Sequence, residues 1–176
     1  MAIEIKDYNP AWLIRFAEQR ERLADLLAPW LAAPIEHIGS TSVPGLRAKP
    51  IVDILAPVHN LTVRATMVDV LSADGWLYWP DDPNSAERLW FLRPKPEERT
   101  HHLHVVEHGS SKARAVLVFR DALRANPSLA REYEDLKIRL AQEFPEDRNA
   151  YTDAKADFVA RVVEGTQPPP LSDSVI

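Results

Sequence analysis

The sequence predicts an α+β fold built on a mixed sheet, and three observations carry that reading. Short apolar runs of strand character are concentrated before residue 108. Two of them, RLWFLR (88–93) and HHLHVVE (101–107), are joined by a link short enough for a hairpin. The remainder of the chain reads as helix, and strands first with helices last argue against a doubly wound sheet, in which the two alternate.

The elements follow in order. Residues 3–6 alternate like a short strand, and Asn9 with Pro10 reads as the cap and first residue of a helix. Trp12, Phe16, Leu23, Leu26 and Leu27 recur at helical spacing, and Pro29 marks the end. Residues 35–39 and 51–58 read as strands. Thr62 is placed to cap a helix that runs to about Ala73, with Val63, Met67, Val70 and Leu71 inward and Gly75 as the stop. The aromatic segment Trp76 to Trp79 is strand-like and leads into the loop DDPNSAE. Three helices are expected after the hairpin: one marked by Val116, Phe119 and Leu123; one behind Asn126-Pro127 with Leu129, Tyr133, Leu136 and Leu140; and one with Tyr151, Ala154, Phe158 and Val162.

A chain of 176 residues with 45% hydrophobic content fits a single domain over 1–166, large enough to close a core without disulfides or structural metals. The PPP at 168–170 opens a Pro-rich tail, 167–176, expected to be flexible. The absence of cysteine fits a reducing compartment. Lys6, Asp7, Arg15, Glu18 and Glu21 interrupt the start, so no secretory signal is expected and the expected location is the cytoplasm. No apolar run is long enough to span a membrane. A net charge of -5 disfavours a partner such as a long nucleic acid, which calls for a basic surface, but leaves a small nucleotide open.

The most informative stretch is 35–58, IEHIGSTSVPGLRAKPIVDILAPV. Small residues at Gly39, Ser40, Thr41 and Ser42 leave backbone N–H groups and hydroxyls free to cradle a phosphate. This is not a Walker P-loop, because five residues separate Gly39 from Gly45 and Leu46 follows where that motif needs Lys. Asp53 sits inside an apolar strand, where an unpaired carboxylate costs several kcal/mol. It is therefore either half of a structural ion pair or a functional acid. His102 and His104, two apart on a strand, share one face, with Leu103 and Val105 on the other. Such a pair can ligate one divalent metal with a neighbouring carboxylate, contact a phosphate, or simply lie exposed. His101 points with Leu103, toward the core or an edge. Lys49 and Arg47 precede the Asp53 strand, and Arg93 and Arg99 bracket the hairpin link, all placed to neutralise phosphate. Glu36 and Glu107 are the remaining strand acids.

The 35–58 stretch, together with RTHHLHVVE (99–107), LVFRDALRANPSLAREYEDLK (117–137) and DRNAYTDAKADFV (147–159), resembles the GrpB-like proteins, a bacterial group placed in the polymerase-beta-type nucleotidyltransferase superfamily. The resemblance covers nearly the whole chain. It implies a nucleotidyltransferase-like mixed sheet with flanking helices and a C-terminal helical segment. It also adds Arg120, Lys137, Tyr151 and Lys155, of which Arg120 and Lys155 are candidate phosphate contacts against the alternative of solvated helix faces. The superfamily signature is Gly-Ser followed by Asp, an apolar residue and a second acid. Gly39, Ser40 and Asp53 match it, while Leu55 stands where the second acid belongs. The resemblance thus implies a metal-dependent nucleotidyltransferase, with a nucleoside triphosphate substrate and a divalent cofactor such as Mg²⁺, Mn²⁺ or another transition metal. Asp53, His102 and His104 are its candidate catalytic and metal-binding residues. Two alternatives stand beside it: a non-catalytic nucleotide- or phosphate-binding module, and a mononuclear-metal enzyme that uses the same three residues.

Overall fold

The structure is a computed structural model that describes residues 3–166. The Pro-rich segment expected as a tail, 167–176, lies outside the described residues. Helix α1 (Ala11–Leu27) begins where the Asn9 side-chain oxygen accepts the Ala11 N–H at 2.9 Å, and it buries Trp12, Leu23 and Leu27. Strands β1 (Glu36–Ile38) and β2 (Val52–Val58) are antiparallel and linked by a loop that opens with a single 3-10 turn, Ser40–Ser42. Helix α2 (Arg64–Ala73) and a short β3 (Leu77–Tyr78) precede the antiparallel pair β4 (Arg88–Arg93) and β5 (His101–Glu107). The expected hairpin is present. Four helices complete the described chain: α3 (Ser111–Ala125), α4 (Pro127–Glu143), α5 (Arg148–Asp153) and α6 (Ala156–Thr166).

The five strands form one mixed sheet in the order β1-β2-β5-β4-β3, in which β2 and β5 are parallel and the other neighbours antiparallel. Alternation then divides the side chains between two faces. Val52, Ile54, Ala56, Leu89, Phe91, Leu103 and Val105 pack with Trp12, Leu23, Leu27, Met67 and Leu71 into the main core, so α1 and α2 cover one face. The opposite face carries an apolar cluster at one end, where Ile38, Leu55 and Val106 meet Ala113 of α3. A second helical core, Val43, Leu46, Leu123, Tyr133, Phe158 and Val162, is assembled beside it by α3, α4 and α6. The rest of that face carries Asp53, His102, His104 and Trp90. It is left open.

Three local expectations are corrected. Residues 3–6 form no strand; Lys6 makes an isolated bridge with Ala48, while the Ile3 N–H donates to the Pro145 carbonyl at 2.7 Å. Thr62 is not the cap of α2, which starts later, and Val63 is 42% exposed because the first turn lifts it away from the sheet. The last expected helix is two, α5 and α6. Tyr151 and Phe158 lie seven positions apart, but Tyr151 packs with Ile3 and Leu140 whereas Phe158 joins Tyr133 and Leu123, and a single straight helix cannot serve both clusters. The break also changes the direction of Lys155.

Helix α3 is tied to the sheet by two arginines. Arg120 is 8% exposed and donates to the Glu36 carboxylate at 2.7 Å, to the His37 carbonyl at 3.1 Å and to Asp121 at 2.8 Å. Arg124 donates to the Ser42 carbonyl at 2.8 and 3.0 Å and so fixes the turn after β1. The Arg120→Ala protein is expected to lose about 2 kcal/mol, because a buried carbonyl and a carboxylate lose a charged donor together. Thermal denaturation should show a fall of roughly 4–8 °C, with Glu36→Gln costing far less.

Candidate active site

The open part of the sheet, helices α4 and α5 and the turn at Lys155 enclose a cavity of about 660 Å³, within the usual size range for small-molecule sites. At its floor the parallel register places Asp53 beside His102 and Leu55 beside His104. The strand alternation that turns Leu103 and Val105 into the core turns both imidazoles toward the carboxylate. His102 Nδ1 stands 3.0 Å and His104 Nε2 3.7 Å from the same Asp53 oxygen. Burial alone would raise the Asp53 pKa, but the hydrogen bonds from His102 and His104 outweigh it and hold the carboxyl well below the usual carboxylate range. Burial pushes the His104 pKa down, with the Asp53 hydrogen bond opposing and Arg88 adding to the shift.

This donor set fits a divalent ion. One ligand atom from each of the three residues can be chosen so that all lie within 4.8 Å of one another. Two ligands at ~2.1 Å from one ion stand about 3–3.5 Å apart, close to the spacings seen. The Nε2 of His102 is buried without a partner, which leaves Nδ1 as the atom engaged at the carboxylate. His104 has a second attachment. Arg88 Nη1 lies 3.0 Å from its Nδ1, and a guanidinium can only donate, so Nδ1 accepts and the ring proton sits on Nε2. An ion on Nε2 would move that proton to Nδ1 and displace the Arg88 contact. Arg88 is itself held by Asp82 through bonds of 2.6 and 2.8 Å.

The Gly-Ser turn closes against this acid. Gly39 has φ +70° and ψ −174°, a conformation reserved for glycine, and an added Cβ would stand 2.5 Å from the second Asp53 oxygen. Only a residue without a side chain lets the turn approach the carboxylate.

Across the cavity stand Lys49, Lys137 and Lys155. Lys137 is 2% exposed and donates to the Arg47 carbonyl. The ammonium groups of Lys49 and Lys155 both sit over the Tyr151 ring, at 4.5 and 4.2 Å from its centroid. Among the described residues the lysines that form ion pairs are Lys6 and Lys95, both exposed, and none of the three in the cavity does. Burial pushes Lys137 down to about 7, opposed by Glu134 and reinforced by Lys155, Lys49 and Arg47. Lys49 and Lys155 are each pushed by burial down to about 8. Burial pushes the Tyr133 phenol up to about 12 and raises Tyr151 as well. Buried cations without a counter-ion are costly unless something anionic completes them.

Of the residues singled out in the sequence, Gly39, Ser40, Lys49, Asp53, His102, His104 and Lys155 line this cavity. Three do not. Thr41 donates to the Ile51 carbonyl at 3.1 Å, and Ser42 to the Gly39 carbonyl at 2.6 Å, so both hydroxyls hold the turn instead of facing a ligand. Arg120 is committed to Glu36, His37 and Asp121 as described. His101 is buried against Trp76 on the core face. Lys137, Tyr151 and Arg99, also singled out, line the cavity too, together with Trp79, Trp90, Arg88 and Arg148, to which the sequence reading gave no site role. One signal was available for Lys137: it follows Tyr133 by four residues, the helical step that sets both on one inward face of α4, whereas Lys155 follows Tyr151 by the same step but lies in the turn between α5 and α6.

A family profile described as GrpB protein matches residues 2–165. A UPF0157 protein of Pseudomonas aeruginosa is 42% identical over 168 residues, spanning 92% of this chain and 66% of that protein. The UPF0157 protein YqkA of Bacillus subtilis is 36% identical over 165 residues, spanning 94% of this chain and 47% of its own length. The chain therefore corresponds to about half to two thirds of these relatives. Among solved structures, the conserved protein GrpB from Enterococcus faecalis superposes with a TM-score of 0.82 at 32% identity, covering 93% of this chain and 96% of that one. No described helix is long and apolar enough to cross a membrane.

Two outcomes test this geometry. Gly39→Ala should displace the Asp53 carboxylate and cost about 1–3 kcal/mol in thermal or denaturant unfolding. For the lysines, the unfolded chain binds more protons than the folded one between about 7 and 10.5 at Lys137, so stability should rise with pH across that window. Lys137→Met removes the buried charge at the expense of the bond to Arg47. It should raise the melting temperature at pH 7, by about 1–3 kcal/mol of stability, and flatten the rise. An unchanged pH profile in the variant would show that Lys137 is not the group responsible.

Proposed function

The chain belongs to the GrpB family, and on that footing we propose that the cavity is the active site of a metal-dependent nucleotidyltransferase acting on a small-molecule acceptor. One observation carries the reading: a candidate ligand trio, Asp53, His102 and His104, faces three lysines without ion pairs, Lys137 buried and Lys49 and Lys155 half-buried, across a single cavity. A metal site next to an unbalanced cluster of cations suits a ligand with several phosphates better than a neutral or singly charged one. Gly39 and Ser40 border the same space, where the turn can receive a phosphate oxygen.

Asp53, His102 and His104 would hold the divalent ion, which would supply Lewis-acid stabilisation of negative charge on the phosphates. The protein's own groups supply the rest. Asp53 keeps its negative charge at neutral pH because the imidazoles hold its pKa down. Lys49, Lys137 and Lys155 neutralise the departing phosphates, and their confinement around Tyr151 and under α4 fixes where those phosphates can lie.

A second reading, a binding module without catalysis, is favoured by Leu55. It is 1% exposed and packed with Ile38, Val106 and Ala113, so no second carboxylate reaches the floor from β2. Its parallel neighbour is His104, which makes the imidazole the replacement donor at that position.

Calorimetry separates the two. With the purified chain, ATP should bind in the presence of Mn²⁺ and at least tenfold more weakly without it. Asp53→Asn should abolish the Mn²⁺ dependence while circular dichroism shows the fold retained. Release of pyrophosphate in a pool of small-molecule acceptors supports the transferase. Equal ATP binding with and without Mn²⁺, and with Asn at 53, would replace the enzyme by the binding module.

A further inference from the structure

Resting on the nucleotide reading above, we propose that Trp79, Trp90 and Arg99 form the subsite that stacks the flat heteroaromatic base of the ligand. Trp90 lies opposite His104 in the β4–β5 ladder, so its side chain shares the cavity face with the candidate metal ligands. Its ring centroid is 5.2 Å from that of His102. The Trp79 N–H donates to the Trp90 carbonyl at 2.9 Å, which fixes one indole beside the other, with centroids 6.1 Å apart and planes at 71°. The Arg99 guanidinium stands 5.7 Å from the Trp79 ring and 5.5 Å from the Trp90 ring, and its Nε–H donates to the Pro96 carbonyl at 2.9 Å.

Two features point to a ligand at this wall. The indole N–H of Trp90 is buried and has no hydrogen-bond partner, although it belongs to a residue that lines the cavity. Turned toward the cavity, it would be completed by an acceptor atom on a heteroaromatic ring. The indole N–H of Trp76 is also unpartnered, but Trp76 is 1% exposed in the core on the other face of the sheet, under Arg93, and no ligand could reach it. The second feature is Arg99, half-buried and without an ion pair among the described residues, which adds a planar cation to two aromatic faces. Planar stacking on indole and guanidinium is the usual reception for a base and gives little to an aliphatic ligand.

The placement fits the phosphate end. In the sheet order β2-β5-β4, Trp90 is two strands from Asp53, about 10 Å across the sheet. The Gly-Ser turn lies on the other side of Asp53, beyond β2, and the lysines line the same cavity. A nucleotide can thus stack its base on one indole with the other at its edge, and set its first phosphate over the carboxylate and imidazoles, with the remaining phosphates among Lys49, Lys137 and Lys155. Arg148 lines the cavity with Arg99 and Lys49 and adds to its positive charge.

The test compares ATP with inorganic tripolyphosphate, which has the phosphates and no ring, using calorimetry with Mn²⁺ on the intact chain. ATP should bind at least tenfold more tightly and quench tryptophan fluorescence, while tripolyphosphate should bind without the quench. Trp79→Ala and Trp90→Ala should each bring ATP down toward tripolyphosphate and leave tripolyphosphate itself unchanged, whereas Trp90→Phe keeps most of the difference. Trp79, at the edge, serves if Trp90→Ala fails to fold. Equal affinity for the two ligands in the unmodified chain, or ATP binding untouched by Trp79→Ala, overturns the base subsite and leaves the phosphate reading standing. That result would assign the wall to the acceptor. If neither compound binds, the nucleotide reading fails and the subsite with it.

Discussion

The parallel pairing of β2 with β5 is the constraint from which the site follows. Parallel neighbours at the centre of an otherwise antiparallel sheet bring Asp53 and His102 side by side although they are far apart in the chain. The same register forces Val52 and Ile54 with Leu103 and Val105 into the main core. A slip of one residue would bury the carboxylate and both imidazoles under α1 and α2 while exposing the apolar set. The hydrophobic stripe therefore fixes the chemistry. Burying that stripe is worth about 1.5–3 kcal/mol per large side chain, far more than the hydrogen bonds at the site contribute.

The helices divide the remaining work. Helices α1 and α2 close the core face, and α3 covers only the β1 end of the other, anchored by Arg120 and Arg124. That limited cover is what leaves a cavity over β5 and β4. Helices α4 and α5 form its far wall, and the break between α5 and α6 lets Tyr151 and Lys155 face inward while Phe158 serves another cluster. A continuous helix here would fill the sequence pattern and spoil the cavity.

Much of this was legible in the sequence, and the parts that were not share a cause. Alternation in HHLHVVE separates His102 and His104 from Leu103 and Val105 without any structure, and the out-of-place acid in PIVDILAPV marks Asp53. Local pattern does not reveal which strands become neighbours, so the contact between these two segments rested on resemblance. Arg120 illustrates the opposite error. A helix-borne arginine in a family-like stretch reads as a phosphate contact, yet its partners, Glu36 and the His37 carbonyl, come from a strand more than eighty residues earlier. Thr41 and Ser42 look like phosphate donors by type, but the tight turn consumes their hydroxyls. Trp79 and Trp90 read as strand aromatics, because only the ladder with β5 shows which face they share.

The three cavity lysines have a practical consequence for anyone who handles this protein. A buried cluster of like charge will take whatever multivalent anion the solution offers, so sulfate, citrate or phosphate from a column buffer is expected to travel with the preparation. An activity screen run in such a buffer would meet a site already occupied, and a silent result would describe the solvent instead of the polypeptide.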